Sequence, residues 1–287
     1  MNIRTDLALE RRELVNDECQ GVECDEYTKG NAKITRIKVL NKQGEEAVGK
    51  PIGTYITIEG DLISNELPSD DNRRNAVSEE LKRLLPKDGT ILVAGLGNSD
   101  ITPDALGPKT ASGILATRHI DKDLAETLGL GNLRSVSAIS PGVLGKTGIE
   151  TVEIINGIIS RVKPSAVIII DALASRRLSR LGTTIQISDS GICPGSGVGN
   201  SRSEISEKTV GVPVIAIGVP TVVDASTLAE DIMQIKGENT PPADSIGMMV
   251  TPREIDTVID RASGVLSMAI NCALHPQMSA EDLSALI

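Results

Sequence analysis

Short apolar runs rich in β-branched residues recur along this chain, and they constrain its fold more than any other feature. The runs occupy residues 90–95, 166–170 and 212–217, and residues 134–139 and 183–187 are predicted as further strands. Runs of this length and composition are typical of strands buried within a sheet. Helical patterns occupy residues 72–85, 102–118 and 149–162, and a long one follows Thr251 and Pro252. Alternating strands and helices predict an α/β fold with a doubly wound, mostly parallel sheet.

Two runs nearer the N-terminus alternate apolar and polar residues, which is the pattern of half-exposed strands. They span residues 33–39 and 53–59, with turn chemistry at residues 41–44 between them. We expect a small β-hairpin or meander beside the main sheet, preceded by a polar surface segment over residues 1–32. The polar stretch 236–247 has the composition of a linker or loop.

The composition limits the classes of partner. The 287-residue chain has no Phe or Trp and two Tyr, so Ile, Val, Leu and Ala must fill its core, and its formal charge is -10. Nucleic-acid binding commonly uses basic surfaces and aromatic stacking, so a direct DNA or RNA partner is disfavoured. The N-terminus lacks the apolar stretch of a signal peptide, and no apolar run reaches the length of a membrane span. We expect a cytoplasmic protein without a membrane partner, whose four cysteines are reduced thiols.

Two aspartates follow predicted strands. Asp171 comes directly after residues 166–170, and Asp104 lies one turn beyond residues 90–95. The carboxyl ends of parallel strands meet at one edge of a sheet, where ligands and catalytic groups collect. Two carboxylates at that edge suit acid–base hydrolysis. The expected rim of this active site consists of Gly95, Gly97, Asn98, Thr102 and Pro103.

Other patterns point to different chemistry, and each is incomplete. The turn after residues 90–95 begins a dinucleotide-binding fingerprint, but Asp100 replaces the third glycine and would repel a pyrophosphate. Residues 142–147 resemble a phosphate-binding loop with two residues, instead of four, between the glycines. His119 and His275 belong to no nucleophile or metal motif. We expect no cofactor and no metal. A metal-dependent maturation-type peptidase using His119, and a non-catalytic Rossmann-like binding protein, stay open as alternatives.

Long motifs are distributed along most of the length of the chain, at residues 4–10, 95–108, 140–150, 170–174, 183–189, 194–200 and 211–224. They resemble those of the germination protease of spore-forming Firmicutes. The resemblance implies a fold similar to hydrogenase-maturation proteases and an endopeptidase of atypical aspartic type. The family's two catalytic aspartates fall on Asp104 and Asp171. The implied substrates are small acid-soluble spore proteins, degraded during germination by a homotetramer in the forespore or spore core.

The resemblance also implies a zymogen that removes its own N-terminal segment. The family's self-processing site resembles the Thr-Asp-Leu-Ala sequence at residues 5–8. This predicts a cut between Asp6 and Leu7. Residues 1–6 are then a pro-segment, and residues 7–287 a single α/β peptidase domain.

Overall fold

The computed structural model describes residues 4–15, 19–63, 72–120, 127, 133–199, 202–236 and 248–287. The strands are β1 (Val22–Lys29), β2 (Ala32–Val39), β3 (Gly53–Glu59), β4 (Ile91–Gly95), β5 (Val136–Ile139), β6 (Ala166–Ser175), β7 (Thr184–Ser188), β8 (Val214–Asp224) and β9 (Met249–Val250). The helices are α1 (Ala8–Arg12), α2 (Lys42–Val48), α3 (Asn72–Leu84), α4 (Leu106–Ser112), α5 (Leu144–Thr147), α6 (Thr151–Val162), α7 (Glu207–Val210), α8 (Ala225–Lys236), α9 (Ile255–Leu274) and α10 (Ala280–Leu286). Short 3-10 turns span Thr102–Asp104, Leu178–Arg180 and Ser196–Val198. Apart from its first residue, which ends α8, the predicted linker 236–247 lies outside the described residues.

A nine-stranded sheet forms the centre of the fold, in the order β1-β2-β3-β7-β8-β6-β4-β5, with β9 paired to β8. Strands β5, β4, β6 and β8 are parallel. Strands β1 to β3, β7 and β9 pair antiparallel with their neighbours. The predicted α/β fold with an N-terminal antiparallel addition is confirmed. The antiparallel part is larger than expected, because β7 joins the N-terminal meander to the parallel centre.

Both faces of the parallel centre are covered, so the sheet is doubly wound. On one face, Ile168 of β6 belongs to a cluster that includes Leu266 of α9. On the other face, Ile169 belongs to a cluster that includes Ile155 of α6. Successive strand residues point to opposite faces, which explains why β6 is apolar at every core position. No helix in the described part of the chain is long and apolar enough to cross a membrane.

Thr5 and residues 7–10 are buried, which corrects the start of the predicted polar surface segment over residues 1–32. Strand β1 also lies in that segment, was not predicted, and is mostly exposed. Leu7 and Ala8 have no exposed surface. Glu10 is also fully buried, and its carboxylate accepts hydrogen bonds from the backbone N–H groups of Arg176 (2.6 Å) and Arg177 (3.0 Å). Buried charges need such partners, and this one depends on residues far away in the sequence. The segment therefore docks on the sheet.

The expected turn at residues 41–44 is instead the start of α2. Asn41 is the N-cap of this helix, and its side-chain oxygen accepts a hydrogen bond from the N–H of Gly44 at 3.1 Å. Asparagine favours both turns and N-caps because its short side chain bonds nearby backbone groups. The tertiary contacts of α2 with α1 and β2 favour the helix here.

Two helix predictions need correction. The helix expected over residues 102–118 is a 3-10 turn followed by α4, which ends at Ser112. Beyond Ser112 a backbone group bonds to another helix instead of continuing α4. The N–H of Leu115 donates to the side-chain oxygen of Asn271 on α9 at 3.0 Å. Thr251 does not cap α9, because this helix begins at Ile255 with Glu254 at the N-cap position. The hydroxyl of Thr251 donates to the carbonyl oxygen of Thr221 at 2.9 Å.

Strands β6 and β8 are longer than their apolar runs predict. They stay paired as far as Ser175 and Val223, with a register shift after Leu173, which lies opposite Pro220. Proline lacks a backbone N–H and is tolerated at such irregularities. As a result Asp171 lies within β6 and not just past its end, which corrects its predicted position.

Helix α4 packs unusually close to the ends of β4 and β6. A Cβ atom added at Gly107 would lie 2.1 Å from the carbonyl oxygen of Leu96 and 2.6 Å from that of Ile170. A Cβ added at Gly95 would lie 2.0 Å from the carbonyl oxygen of Gly107. Glycine is needed at both positions because the neighbouring atoms belong to the backbone and cannot move aside independently.

We expect Gly107→Ala to destabilise the protein by about 1–3 kcal/mol, because the new methyl group forces the backbone apart. The matched control is Gly157→Ala, in the exposed middle of α6, where no atom lies within 4 Å of the added Cβ. That change should stabilise the protein by about 0.5–1 kcal/mol through helix propensity. Urea unfolding of both variants measures the difference, and equal effects would contradict the close packing.

Candidate active site

Parallel pairing of β4 with β6 brings the two predicted catalytic aspartates to one edge of the sheet. Gly95, the last residue of β4, pairs with Ile170, which directly precedes Asp171. After β4 the chain turns and reaches Asp104 at the end of the 3-10 turn before α4. Asp104 and Asp171 line the same cavity, which has a volume of about 550 Å³.

Asp171 is the more buried of the two, with 6% of its surface exposed. Its Oδ1 accepts a hydrogen bond from the N–H of Ala172 at 3.0 Å. Burial raises the pKa of Asp171 well above its usual value, and the charges of Asp104 and Asp6 raise it further. The hydrogen bond from Ala172 acts in the opposite direction. The Asp171 side chain therefore favours the protonated form.

Asp104 is half-buried and is held by the turn that precedes it. Its Oδ2 accepts a hydrogen bond from the N–H of Asn98 at 2.7 Å. Burial raises the pKa of Asp104, and this hydrogen bond partly offsets the increase. Gly97 adopts a left-handed backbone with φ of 116°, and a Cβ there would lie 2.0 Å from the carbonyl oxygen of Asp104. The glycine thus lets the turn close on the aspartate.

The cavity is walled by several loops at this edge of the sheet. Among the predicted rim residues, Gly97, Asn98 and Pro103 line it. Gly95 is buried behind the rim against α4, and Thr102 is half-buried in the 3-10 turn. The opposite wall includes residues 142–145 of the motif that resembles a phosphate-binding loop. That motif therefore contributes to the same site.

A third aspartate, Asp6, also lines this cavity. Its backbone N–H donates to the carbonyl oxygen of Ala174 at 2.9 Å. Its Oδ2 accepts from the N–H of Ala174 and its Oδ1 from the hydroxyl of Ser196, both at 2.8 Å. A Cβ added at Gly197 would lie 2.2 Å from Oδ2, so the glycine makes room for the carboxylate. The residue predicted to precede the self-processing cut thus lies beside the two aspartates.

The carbonyl oxygen of Asp6, which belongs to the Asp6–Leu7 peptide bond, accepts two side-chain hydrogen bonds. Lys50 Nζ donates at 2.8 Å and Gln186 Nε2 at 3.1 Å. The sequence reasoning missed both residues. Gln186 had a signal, because it is an amide side chain between two isoleucines at the centre of a predicted strand. Lys50, in the loop between α2 and β3, had none.

The described residues that line this cavity do not include the carboxylate-and-histidine set that the metal-dependent alternative needs. His119 lies in an exposed turn after α4, and it is absent from the residues that line the cavity. Within the described ranges, no group of three or more His, Cys, Asp or Glu side chains is arranged to hold a metal ion. His275, the other histidine, is fully buried at the end of α9.

Residues 3–236 match the family described as germination protease. The chain belongs to the germination protease family. It is 46% identical to the germination protease of Caldanaerobacter subterraneus subsp. tengcongensis, over 100% of this chain and 98% of that protein. It is 44% identical to the Clostridium tetani germination protease, over 99% of each chain. Identity to the Bacillus velezensis germination protease is 38%, over 98% of this chain and 95% of that one.

Membership of the germination protease family assigns the chain a protease role. Among solved structures, the chain is similar to a [NiFe] hydrogenase maturation protease, HycI, from Thermococcus kodakarensis KOD1. The TM-score is 0.38 and the identity 17%, over 67% of this chain and 98% of that one.

The raised pKa of Asp171 predicts a pH-dependent stability difference for Asp171→Asn. Above the ordinary pKa of aspartate, the unfolded chain loses a proton that the folded protein keeps, so wild-type stability falls as pH rises toward the raised value. The amide does not titrate, and each unit of pKa difference corresponds to about 1.4 kcal/mol. We therefore expect the stability of Asp171→Asn relative to wild type to increase as the pH rises above the ordinary pKa of aspartate, about 4, toward the raised pKa of Asp171.

Urea unfolding at several pH values measures this margin. The control is Asp100→Asn, because Asp100 is exposed and its pKa is lowered by an ion pair with Lys146. The control should show no growing gain with pH. A margin for Asp171→Asn that does not change with pH would contradict the raised pKa.

Proposed function

We propose that this protein is an endopeptidase of atypical aspartic type, in which Asp104 and Asp171 activate the water that hydrolyses the peptide bond. The observation that carries the proposal is the pair itself. Two carboxyl groups at one sheet edge line one cavity, and the pKa of Asp171 is raised by burial and by the charge of Asp104. Neighbouring carboxyls in such a site do not readily ionise together, so the pair holds one proton.

The roles follow from the two environments. Asp171 is more buried and its pKa is raised further, so it keeps the proton and acts as the general acid. Asp104 is ionised, oriented by the N–H of Asn98, and removes a proton from water. The hydroxyl of water bonds to the carbonyl carbon. The carbon–nitrogen bond breaks as the leaving nitrogen receives the proton of Asp171, and the proton taken by Asp104 restores the pair.

The resemblance to germination proteases supports the finer assignments. We propose small acid-soluble spore proteins as substrates during spore germination, a homotetramer as the assembly, and the cytoplasm of the forespore or spore core as the location. We also propose a zymogen in which residues 1–6 are the pro-segment and residues 7–287 the peptidase domain. The position of Asp6 beside the two catalytic aspartates supports self-processing between Asp6 and Leu7.

Substitution of either aspartate tests the catalytic pair. Asp104→Asn and Asp171→Asn should each lower the rate of cleavage of a small acid-soluble spore protein by about 10²- to 10⁴-fold, the usual contribution of a general acid or base. The double variant should be little worse than either single one, because the two groups act as a unit. The measurement is the initial rate of cleavage by purified, folded protein.

Asp100→Asn is the matched control, because it changes an exposed aspartate of the same turn and should leave the rate near that of wild type. Cleavage should also survive EDTA. Loss of activity in EDTA that zinc or nickel restores would favour the metal-dependent alternative. Retention of activity within a few-fold by either Asp104→Asn or Asp171→Asn would overturn the proposed pair.

Mildly acidic conditions should promote the cut between Asp6 and Leu7. The charges of Asp6 and Asp104 raise the pKa of Asp171 in the cavity that the three residues share. Mild acid keeps the proton on Asp171 and so limits the repulsion among the three carboxyl groups. N-terminal sequencing of protein held at mildly acidic pH should give a chain that begins at Leu7. The same treatment of Asp104→Asn should leave the chain uncut. A different N-terminus, or the same cut in purified Asp104→Asn, would contradict self-processing.

A further inference from the structure

One side chain binds both the carbonyl oxygen of the Asp6–Leu7 peptide bond and the N–H of the next peptide group. Gln186 Nε2 donates to the carbonyl oxygen of Asp6 at 3.1 Å, and Gln186 Oε1 accepts from the N–H of Ala8 at 2.7 Å. Lys50 Nζ adds a second donor to the same carbonyl oxygen at 2.8 Å. These contacts involve only main-chain atoms of the bound segment, so any peptide in this position could make them.

The sheet places Gln186 on the same face as Asp171. Gly218 of β8 pairs with Gln186 of β7 on one side and with Asp171 of β6 on the other. Paired residues in neighbouring strands point to the same face, so the three positions form a row. The middle member has no side chain, and a Cβ there would lie 2.4 Å from the carbonyl oxygen of Asp171. Gln186 and Asp171 therefore face the same space across a glycine.

Asp6 lies at the junction of two cavities. It lines the cavity of Asp104 and Asp171, and it also lines a neighbouring cavity of about 270 Å³ together with Lys50 and Gln186. Burial lowers the pKa of Lys50, and the charge of Asp6 counteracts this. The acidic side chain before the peptide bond thus favours the charged form of the lysine that binds its carbonyl oxygen.

We propose that Lys50 and Gln186 bind the carbonyl oxygen of the peptide bond to be cleaved, and stabilise the negative charge that this oxygen acquires during hydrolysis. This inference rests on the proposed function. When the hydroxyl of water bonds to the carbonyl carbon, the π electrons move to the oxygen, which becomes an oxyanion facing an ammonium group and an amide N–H. They return as the carbon–nitrogen bond breaks and the nitrogen of Leu7 takes a proton from Asp171.

Anchoring of the segment does not explain these contacts, because other residues anchor it independently. Beyond the peptide bond, buried Glu10 accepts from the N–H groups of Arg176 and Arg177. Before the bond, Arg4 forms a 3.0 Å ion pair with Asp224. A neutral donor would suffice for docking, whereas the ammonium of Lys50 stabilises an oxyanion more than it stabilises the uncharged carbonyl oxygen.

The test measures the first-order rate of self-processing at mildly acidic pH, together with kcat and KM for a small acid-soluble spore protein. Lys50→Met should slow self-processing about 100-fold, as removal of an oxyanion donor does elsewhere. Lys50→Arg should recover most of the rate, because it keeps the charge and the donors. Gln186→Met should lower the rate about 10-fold or more. In cleavage of the small acid-soluble spore protein, these variants should lower kcat much more than they raise KM.

Amide hydrogen exchange of the N-terminal peptide, measured at neutral pH before processing, separates stabilisation of the oxyanion from docking. Lys50→Met should keep the protection of this peptide while its rate of cleavage falls. A fall in rate that only matches a loss of protection would show an anchoring role and overturn the proposal. The matched controls are Lys42→Met and Gln43→Met at the exposed start of α2, which should process at the wild-type rate.

The outcomes distinguish this inference from the function on which it rests. If wild type and Lys50→Met cleave equally fast, the role proposed for Lys50 and Gln186 is wrong, and the proposal about Asp104 and Asp171 still stands. If wild type cleaves neither itself nor the spore protein, the proposed function fails and this inference fails with it. If the circular dichroism spectrum shows that Lys50→Met does not fold, Gln186→Met becomes the test. An unchanged rate of self-processing in Gln186→Met then overturns the proposal.

Discussion

The contact between α4 and the ends of β4 and β6 is the constraint on which the rest of this active-site edge depends. Gly107 touches the backbone at Leu96 and Ile170, so the helix begins directly against the strands. This closeness limits the connection from β4 to α4 to a tight turn, and the turn carries Asp104 back over Asp171. If α4 lay farther from the strand ends and its connection to β4 were longer, the two carboxyl groups would share an edge of the sheet without sharing a cavity.

The N-terminal segment reaches this edge because the residues that follow Asp6 in the sequence are held by ion pairs. Arg180, with 6% of its surface exposed, pairs with Glu10 at 3.2 Å and Glu59 at 3.2 Å, and also with Glu13. One guanidinium thus joins the segment after α1, the helix itself and β3. Planar Arg–carboxylate pairing restricts orientation as well as distance. The position of Asp6 follows from that orientation.

The sequence was most informative where a local pattern decides the structure. The first five residues of β6 are continuously apolar because both faces of the strand are buried, so the strand was recognisable. The parallel topology then predicted that Asp171 and Asp104 share one edge of the sheet. The length of β6 was not recognisable, because its last residues are held by pairing with β8. The length of helix α4 was overestimated for a similar reason, since the chain after Ser112 bonds to Asn271 of α9.

Contacts between distant segments were hidden for a different physical reason. The residues that hold Asp6 come from the α2–β3 loop, from β6, from β7 and from the turn at Ser196. No spacing within any one of these segments indicates that they meet. The burial of residues 7–10 was also concealed, because Glu10 is polar and becomes compatible with the core through distant partners, the N–H groups of Arg176 and Arg177 and the guanidinium of Arg180.

The burial of Leu7 has a consequence for the reaction products. Its N–H now donates to the hydroxyl of Thr5 at 3.1 Å, and the residue has no exposed surface. In the proposed self-processing, hydrolysis before Leu7 would turn that N–H into an ammonium group near Lys50, and it would release the piece that contains Thr5. An unhydrated cation beside another cation is unfavourable. The new chain end would therefore move toward water, which opposes rejoining of the two pieces and empties the positions that a substrate would occupy.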